Sequence, residues 1–203
     1  MQNKKMTFNP HDHYFKKAKK EGFKARSVFK LDEIQQKFKV FHSQSTILDL
    51  GCSPGSWSQW VSQKLGNTKG LVVGVDLKPV DLKLSNAVFI QGDLFELNLT
   101  EELLQRGIKL DKFDLVLSDM APKTTGIKIT DQARSFDLCN LALDTAQNWL
   151  KPGGNVVIKL FHSEDFKLLK KRMESEYKRF EVLKPQSTRS ESKEIFLIGL
   201  YKK

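Results

Sequence analysis

Two cysteines in 203 residues, Cys52 and Cys139, are too few and too far apart for a disulfide framework, a redox pair or a zinc site. They fit a reducing compartment, so a cytoplasmic protein is expected. No run approaches the roughly 18 apolar residues of a membrane span. Met1 to Tyr14 is polar, without the apolar stretch of a secretory signal or the Arg/Ser-rich character of a transit peptide. Internal repeats and low-complexity tracts are missing too. No cluster of His, Cys and acidic residues has metal-ligand spacing, and no metal is expected. With 39% hydrophobic and 29% charged residues the chain reads as a soluble globular protein of one domain, with enough length for an ample core.

Charge, by contrast, is abundant and uneven. The net charge is +10, from 34 Lys/Arg against 24 Asp/Glu. Residues 1–30 carry nine basic residues against two acids, and residues 167–203 carry eleven against five. The middle, 31–166, has fourteen against seventeen, so the excess sits at the two ends. A segregated excess points to a polyanion partner, with a solvated surface that keeps the protein soluble as the alternative. Lys16-Lys17-Ala18-Lys19-Lys20 marks residues 1–24 as a basic arm or helix, ahead of a single domain over 25–203.

Hydrophobic periodicity predicts alternating elements. An amphipathic helix is expected over Ala25–Lys37. Strands follow at Thr46–Leu50, Leu71–Leu77, Ala87–Gly92, Phe113–Asp119 and Asn155–Phe161. Helices are expected at Ser56–Leu65, Thr100–Arg106, Asp131–Leu150 and Glu164–Tyr177, and Lys151-Pro152-Gly153-Gly154 ends the third of these. Short apolar strands separated by helices imply a parallel sheet covered on both faces. Phe180–Lys184 and Glu194–Tyr201 break this rhythm, because the polar loop between them leaves no room for a crossover helix. Those two strands should be antiparallel. The fold class is therefore α/β and Rossmann-like, a mostly parallel seven-stranded sheet with one antiparallel strand.

In such sheets ligands bind beyond the carboxyl ends of the strands. The first strand runs into Gly51-Cys52-Ser53-Pro54-Gly55-Ser56-Trp57, a glycine loop that opens a helix. Its G-x-x-x-G spacing is neither the dinucleotide fingerprint nor the P-loop, and that points toward S-adenosylmethionine. Asp76 and Asp93 close the next two strands, where carboxylates suit a ribose diol and an adenine edge; turn or cap roles are the alternative. Ser118-Asp119-Met120-Ala121-Pro122 closes the fourth strand. It lacks both the Asn/Asp-Pro-Pro-Tyr of amine methylation and the Pro-Cys of pyrimidine C5 chemistry. Lys159 stands inside Val156–Phe161, where a lysine is least expected unless it snorkels out. An antiparallel last strand beside the fifth would bring Glu194 to Lys159 and Asp119.

These segments resemble the FtsJ/RrmJ ribose 2′-O-methyltransferase family from Tyr14 onward. The matching pieces are residues 17–22, Arg26–Gln35, Asp49–Gln59, Ser118–Pro122 and Arg189–Glu194. Cys52-Ser53 and Ser56 depart slightly from the Ala-Ala and Gly common in bacterial relatives. The resemblance implies a catalytic set of Lys30, Asp119, Lys159 and Glu194, and S-adenosylmethionine contacts at Gly51, Pro54, Gly55, Ser56, Trp57, Asp76, Asp93 and Asp119. It further implies methylation of an RNA ribose 2′-hydroxyl, on a uridine of large-subunit rRNA in the 50S particle, by a monomer with no DNA or membrane partner. A tRNA anticodon-loop specificity and a non-catalytic assembly factor with this fold are the alternatives. Two lysines sharing one site would repel, which favours loss of a proton from one of them.

Overall fold

The computed structural model describes residues 13–203. Seven strands form one sheet in the order β3-β2-β1-β4-β5-β7-β6. They are β1 (Thr46–Leu50), β2 (Leu71–Asp76), β3 (Ala87–Gln91), β4 (Phe113–Ser118), β5 (Leu150–Phe161), β6 (Tyr177–Leu183) and β7 (Glu194–Lys202). All neighbouring pairs are parallel except those made by β7, which runs antiparallel to both β5 and β6. One reversed strand in an otherwise parallel sheet is the expected architecture.

The helices are α1 (His13–Lys20), α2 (Val28–Phe38), α3 (Ser56–Leu65), α4 (Leu99–Gln105), α5 (Lys128–Trp149) and α6 (Phe166–Glu176). Because successive strand residues point to opposite faces, each apolar strand feeds two cores. Leu48, Val73, Val116 and Ile158 pack under α4, α5 and α6. Ile47, Val72, Leu117 and Val157 pack under α1, α2 and α3. Helices thus cover both faces, as continuous apolar strands require.

Of the basic arm expected over residues 1–24, residues 1–12 lie outside the described residues. From residue 13 the chain forms α1, whose Ala18 is buried while Lys16, Lys19 and Lys20 stay exposed. Tyr14 and Phe23 pack on Phe29 of α2, with ring centroids 5.5 and 6.5 Å apart.

Of the boundaries that differ from expectation, three have a clear physical reason. Helix α5 starts at Lys128 rather than Asp131, because the Asp131 side chain accepts bonds from Thr125 N (2.7 Å), Thr125 Oγ1 (2.9 Å) and Gly126 N (3.2 Å). It closes the helix start from one turn inside. Strand β5 begins at Leu150, which pairs with Phe113 before the ladder shifts register and resumes at Asn155. The intervening Pro-Gly-Gly is a bulge, tied down where Lys151 Nζ meets Asp114 Oδ1 at 2.8 Å. Strand β6 starts three residues earlier than expected, since the exposed Lys178 and Arg179 of this edge strand break the apolar pattern.

Candidate active site

Strand order reverses at β1: β2 and β3 extend to one side, β4 and β5 to the other. Such a switch point leaves a crevice at the carboxyl edge. The glycine loop lies there. Gly51 has φ +70°, and a Cβ on it would stand 2.5 Å from Met120 Cγ. Gly55, at φ +101°, caps the N-terminus of α3, and its N–H bonds Cys52 O at 2.6 Å across the cis Ser53–Pro54 bond. Both positions need glycine. The first-turn N–H groups of α3, at Ser56 and Trp57, have no partner inside the helix and face the loop end.

Around this loop the carboxylates take distinct positions. Asp76 accepts from Ser53 N at 2.9 Å and from Lys78 N at 2.8 Å, so it shapes the loop while keeping lone pairs for a ligand. Asp93 Oδ1 accepts from Phe95 N at 3.0 Å, a turn geometry that leaves its second oxygen open. The Trp57 side chain points into the core. Its indole N–H donates to Ser27 O at 2.8 Å and its ring lies 5.8 Å from Phe196, so only its main chain is left for a ligand at the loop.

Asp49, not singled out in the sequence, is fully buried beneath the loop. Ser58 Oγ donates to Oδ2 at 2.6 Å, while Oδ1 has no hydrogen-bond partner among the described residues. Burial pushes its carboxyl up to about 7; the Ser58 hydrogen bond opposes this, and the Asp119 and Asp76 charges add to it. An acid in an apolar strand is the same anomaly that marks Lys159, and it is the signal that would have found Asp49.

The second half of the site follows from strand phase. Lys159 and Glu194 alternate with residues that pack under α4–α6, so both face α2. Register places Lys159 opposite Phe196 and Phe161 opposite Glu194. Lys159, 8% exposed, does not snorkel out: its Nζ lies 2.8 Å from Asp119 Oδ1 and 2.5 Å from the Asp119 carbonyl oxygen. Lys30 comes from α2 and meets Glu194 Oε1 at 2.5 Å, with its ammonium 5.9 Å from the Phe196 ring centroid. Each lysine therefore has its own carboxylate, which offsets the repulsion expected between them.

Side chains with no local sequence signal hold this arrangement. Glu33, one turn after Lys30, accepts from Gln186 N (2.6 Å) and Ser187 N (2.9 Å). Arg26 donates to the Ser187 carbonyl, and Ser27 Oγ lies 3.0 Å from Ser56 Oγ. Helix α2 is thereby fixed both to the loop before β7 and to the start of α3. These contacts span 161, 154 and 29 residues, beyond the reach of any local pattern.

Neither cysteine offers a nucleophile. Burial pushes the Cys139 thiol up to about 12, and its Sγ donates to the Lys159 carbonyl at 3.1 Å; burial also raises Cys52.

The profile described as FtsJ-like methyltransferase matches residues 23–202. A Bdellovibrio bacteriovorus protein named "Ribosomal RNA large subunit methyltransferase E" is 60% identical over 198 residues, which is 98% of this chain and all of that one. A Desulfatibacillum aliphaticivorans protein of the same name is 50% identical over 95% of this chain and 91% of its own. Among solved structures, a putative ribosomal RNA methyltransferase from Plasmodium falciparum superposes with a TM-score of 0.78 at 28% identity, covering 89% of this chain and 98% of that one. The Methanococcus jannaschii fibrillarin pre-rRNA processing protein, at 20% identity and a TM-score of 0.56 over 79% of this chain and 68% of that one, shares the fold. With its glycine loop, its strand order and its full-length similarity to these proteins, the chain belongs to the FtsJ-like methyltransferase family.

Proposed function

We propose that this protein methylates the 2′-hydroxyl of an RNA ribose, on a uridine of large-subunit rRNA in the 50S particle, using S-adenosylmethionine. The observation that carries the chemistry is the pair of ion pairs, Lys159–Asp119 and Lys30–Glu194, beside the glycine loop. The rRNA substrate rests on the name borne by relatives that match over nearly their whole length.

The residues present fit the cofactor. Gly51, Pro54 and Gly55 form a tight loop in which a Cβ at either glycine would strike Met120 or Leu82, and Ser56 and Trp57 offer helix N-terminal N–H groups. Asp76 and Asp93 keep free acceptors for hydroxyls and an adenine edge. The unpartnered Oδ1 of Asp49 suits a cationic group. Bound there, S-adenosylmethionine supplies a methyl group already activated as a sulfonium, so the protein's main task is alignment.

Lys159 Nζ spends two of its contacts on Asp119 and turns what remains to the incoming hydroxyl. In its amine form it accepts the hydroxyl proton and becomes the ammonium that Asp119 holds, leaving the ribose oxygen as the nucleophile. Lys30 and Glu194 position the nucleotide. The 2′-hydroxyl distinguishes RNA from DNA.

The test is methyl transfer from labelled cofactor to unmodified 50S particles, free large-subunit rRNA and bulk tRNA, with the label mapped by nuclease digestion. Label on a ribose 2′-oxygen in 50S particles supports the reading. Label in tRNA alone keeps the chemistry and overturns the substrate. Cofactor binding without transfer to any of them makes the protein an RNA-binding assembly factor. Lys159→Ala should lower turnover by at least about 100-fold, the scale of a lost acid–base group, with cofactor affinity unchanged. A variant within a few-fold of wild type overturns the role of Lys159.

A further inference from the structure

Beyond the catalytic cluster, the carboxyl edge opens into a cavity of about 210 Å³ between the start of α5, the end of β5 and the segment leading into β7. Phe161, His162, Lys128 and Lys193 are among the residues that line it. The cavity is contiguous with the site already described, since Phe161 pairs with Glu194 and Lys193 is the residue before Glu194. Its walls are fixed by the backbone: His162 N donates to Lys193 O at 3.1 Å, and Gln132 Nε2 donates to His162 O at 2.5 Å.

The two lysines stand in an arrangement that asks for an anion. Both are exposed, come from segments 65 residues apart, and line the same cavity. Its neighbour Lys128 holds Lys193 below the usual lysine range. Like charges brought this close repel unless something between them is negative. The carboxylate in the cavity wall, Asp131, already accepts three bonds from Thr125 and Gly126. A phosphodiester supplies the missing charge, and lysine reads phosphate as a point charge without regard to sequence.

We propose that Lys128 and Lys193 form a phosphate subsite for the RNA strand, taking a backbone phosphate next to the nucleotide whose ribose enters at Lys159. This rests on the RNA-methyltransferase reading. The subsite would set the strand's position along the edge, with Phe161 and His162 beneath it. It adds no group to the chemical step.

Two measurements test it, one of them independent of turnover. The first is binding of a labelled single-stranded RNA oligonucleotide to cofactor-free protein as salt is varied, for wild type, Lys128→Ala, Lys193→Ala and the double variant. Each lost phosphate contact should reduce the slope of log affinity against log salt by about 0.7–0.9. Lys→Arg at both positions should restore it. The second is steady-state methylation of 50S particles, where the RNA KM should rise several-fold in the double variant while the loss stays out of kcat. An unchanged salt slope and KM in the double variant overturns the subsite. So does a loss confined to kcat, which would place the lysines in the chemistry. Wild-type protein that binds RNA but methylates none overturns the functional reading instead, and the salt slopes still decide whether the lysines hold phosphate.

Discussion

Asp49 and Lys159 are charged residues inside apolar strands, and both sit in the phase that faces α2 and α3 rather than α5. Lys159 is neutralised by Asp119; Asp49 has one hydroxyl donor and an open oxygen. That difference has a measurable consequence. The Asp49 carboxyl rises from 3.8 to about 7, with burial the largest cause. Between those values the unfolded chain gives up its proton while the folded one keeps it. The stabilising contribution of the neutral acid is therefore full below about pH 4 and is lost as pH rises to about 7. At roughly 1.4 kcal/mol per unit the loss reaches about 4 kcal/mol. Asp49→Asn removes the titration. The variant's stability relative to wild type should thus rise across that window, read from urea melts of ligand-free protein at a series of pH values. A difference that stays constant with pH would give Asp49 an ordinary carboxylate value. Of the residues at this edge, the anomalies in composition were legible in the sequence: a lysine in an apolar run, acids at strand ends, glycines four apart. The turned-in ring of Trp57 and the grip of Glu33 on residues 186–187 were not, because they depend on side-chain direction and on segments brought together only by folding.

Among the elements, β1 and α3 were legible to the residue, and β2, β3 and β4 to within one. The strands are short apolar stretches ending at glycine, aspartate or a polar turn, and α3 is framed by Gly55 and Gly66. That β6 and β7 run antiparallel to each other was legible from loop length alone. What local pattern missed are places where a distant partner sets the boundary: Asp131 reaching back to Thr125 at α5, and Leu150 pairing with Phe113 ahead of the bulge. The other end of α5 shows the same dependence. Lys202, on the last turn of sequence, is buried and donates to the carbonyls of Ala146 (3.2 Å), Gln147 (2.6 Å) and Leu150 (3.4 Å). Ala146 O also accepts from Leu150 N, while a helix end leaves a carbonyl such as that of Gln147 without a partner in the helix. Lys202→Met keeps the apolar stem and removes the donors. It should cost about 1–3 kcal/mol, the penalty for buried acceptors left without partners. Thermal melts at neutral pH should show the drop, and because the residue lies at the edge of the sheet away from the glycine loop, cofactor affinity should not follow. A melt equal to wild type would mean that water replaces the lysine there.

At the scale of the whole molecule, folding brings part of the basic carboxyl-terminal segment, residues 187–189, against Arg26 of the basic amino-terminal one. Residues 1–30 and 167–203 hold the excess charge, and Arg26 binds the carbonyl of Ser187 while its guanidinium also feels Arg189. Arg26 and the 187–189 stretch therefore adjoin beside Lys30 and Glu194. A basic field that flanks a site and leaves its centre near neutral serves to gather a polyanion; it adds little for a small cofactor. RNA affinity should then fall steeply with salt. A slope of log affinity against log salt steeper than about −3 corresponds to four or more phosphates. S-adenosylmethionine affinity should barely change over the same range. Replacing the exposed Lys16, Lys19 and Lys20 of α1 with glutamine tests the amino-terminal share of this surface. Their side chains point away from the buried Ala18, so the fold should survive, and melts of the triple variant should match wild type. The RNA slope should flatten by up to about 2 if all three meet phosphates. An unaltered slope would confine the RNA track to the carboxyl-terminal segment and the α5 side of the edge, leaving α1 as a structural cover over Phe29.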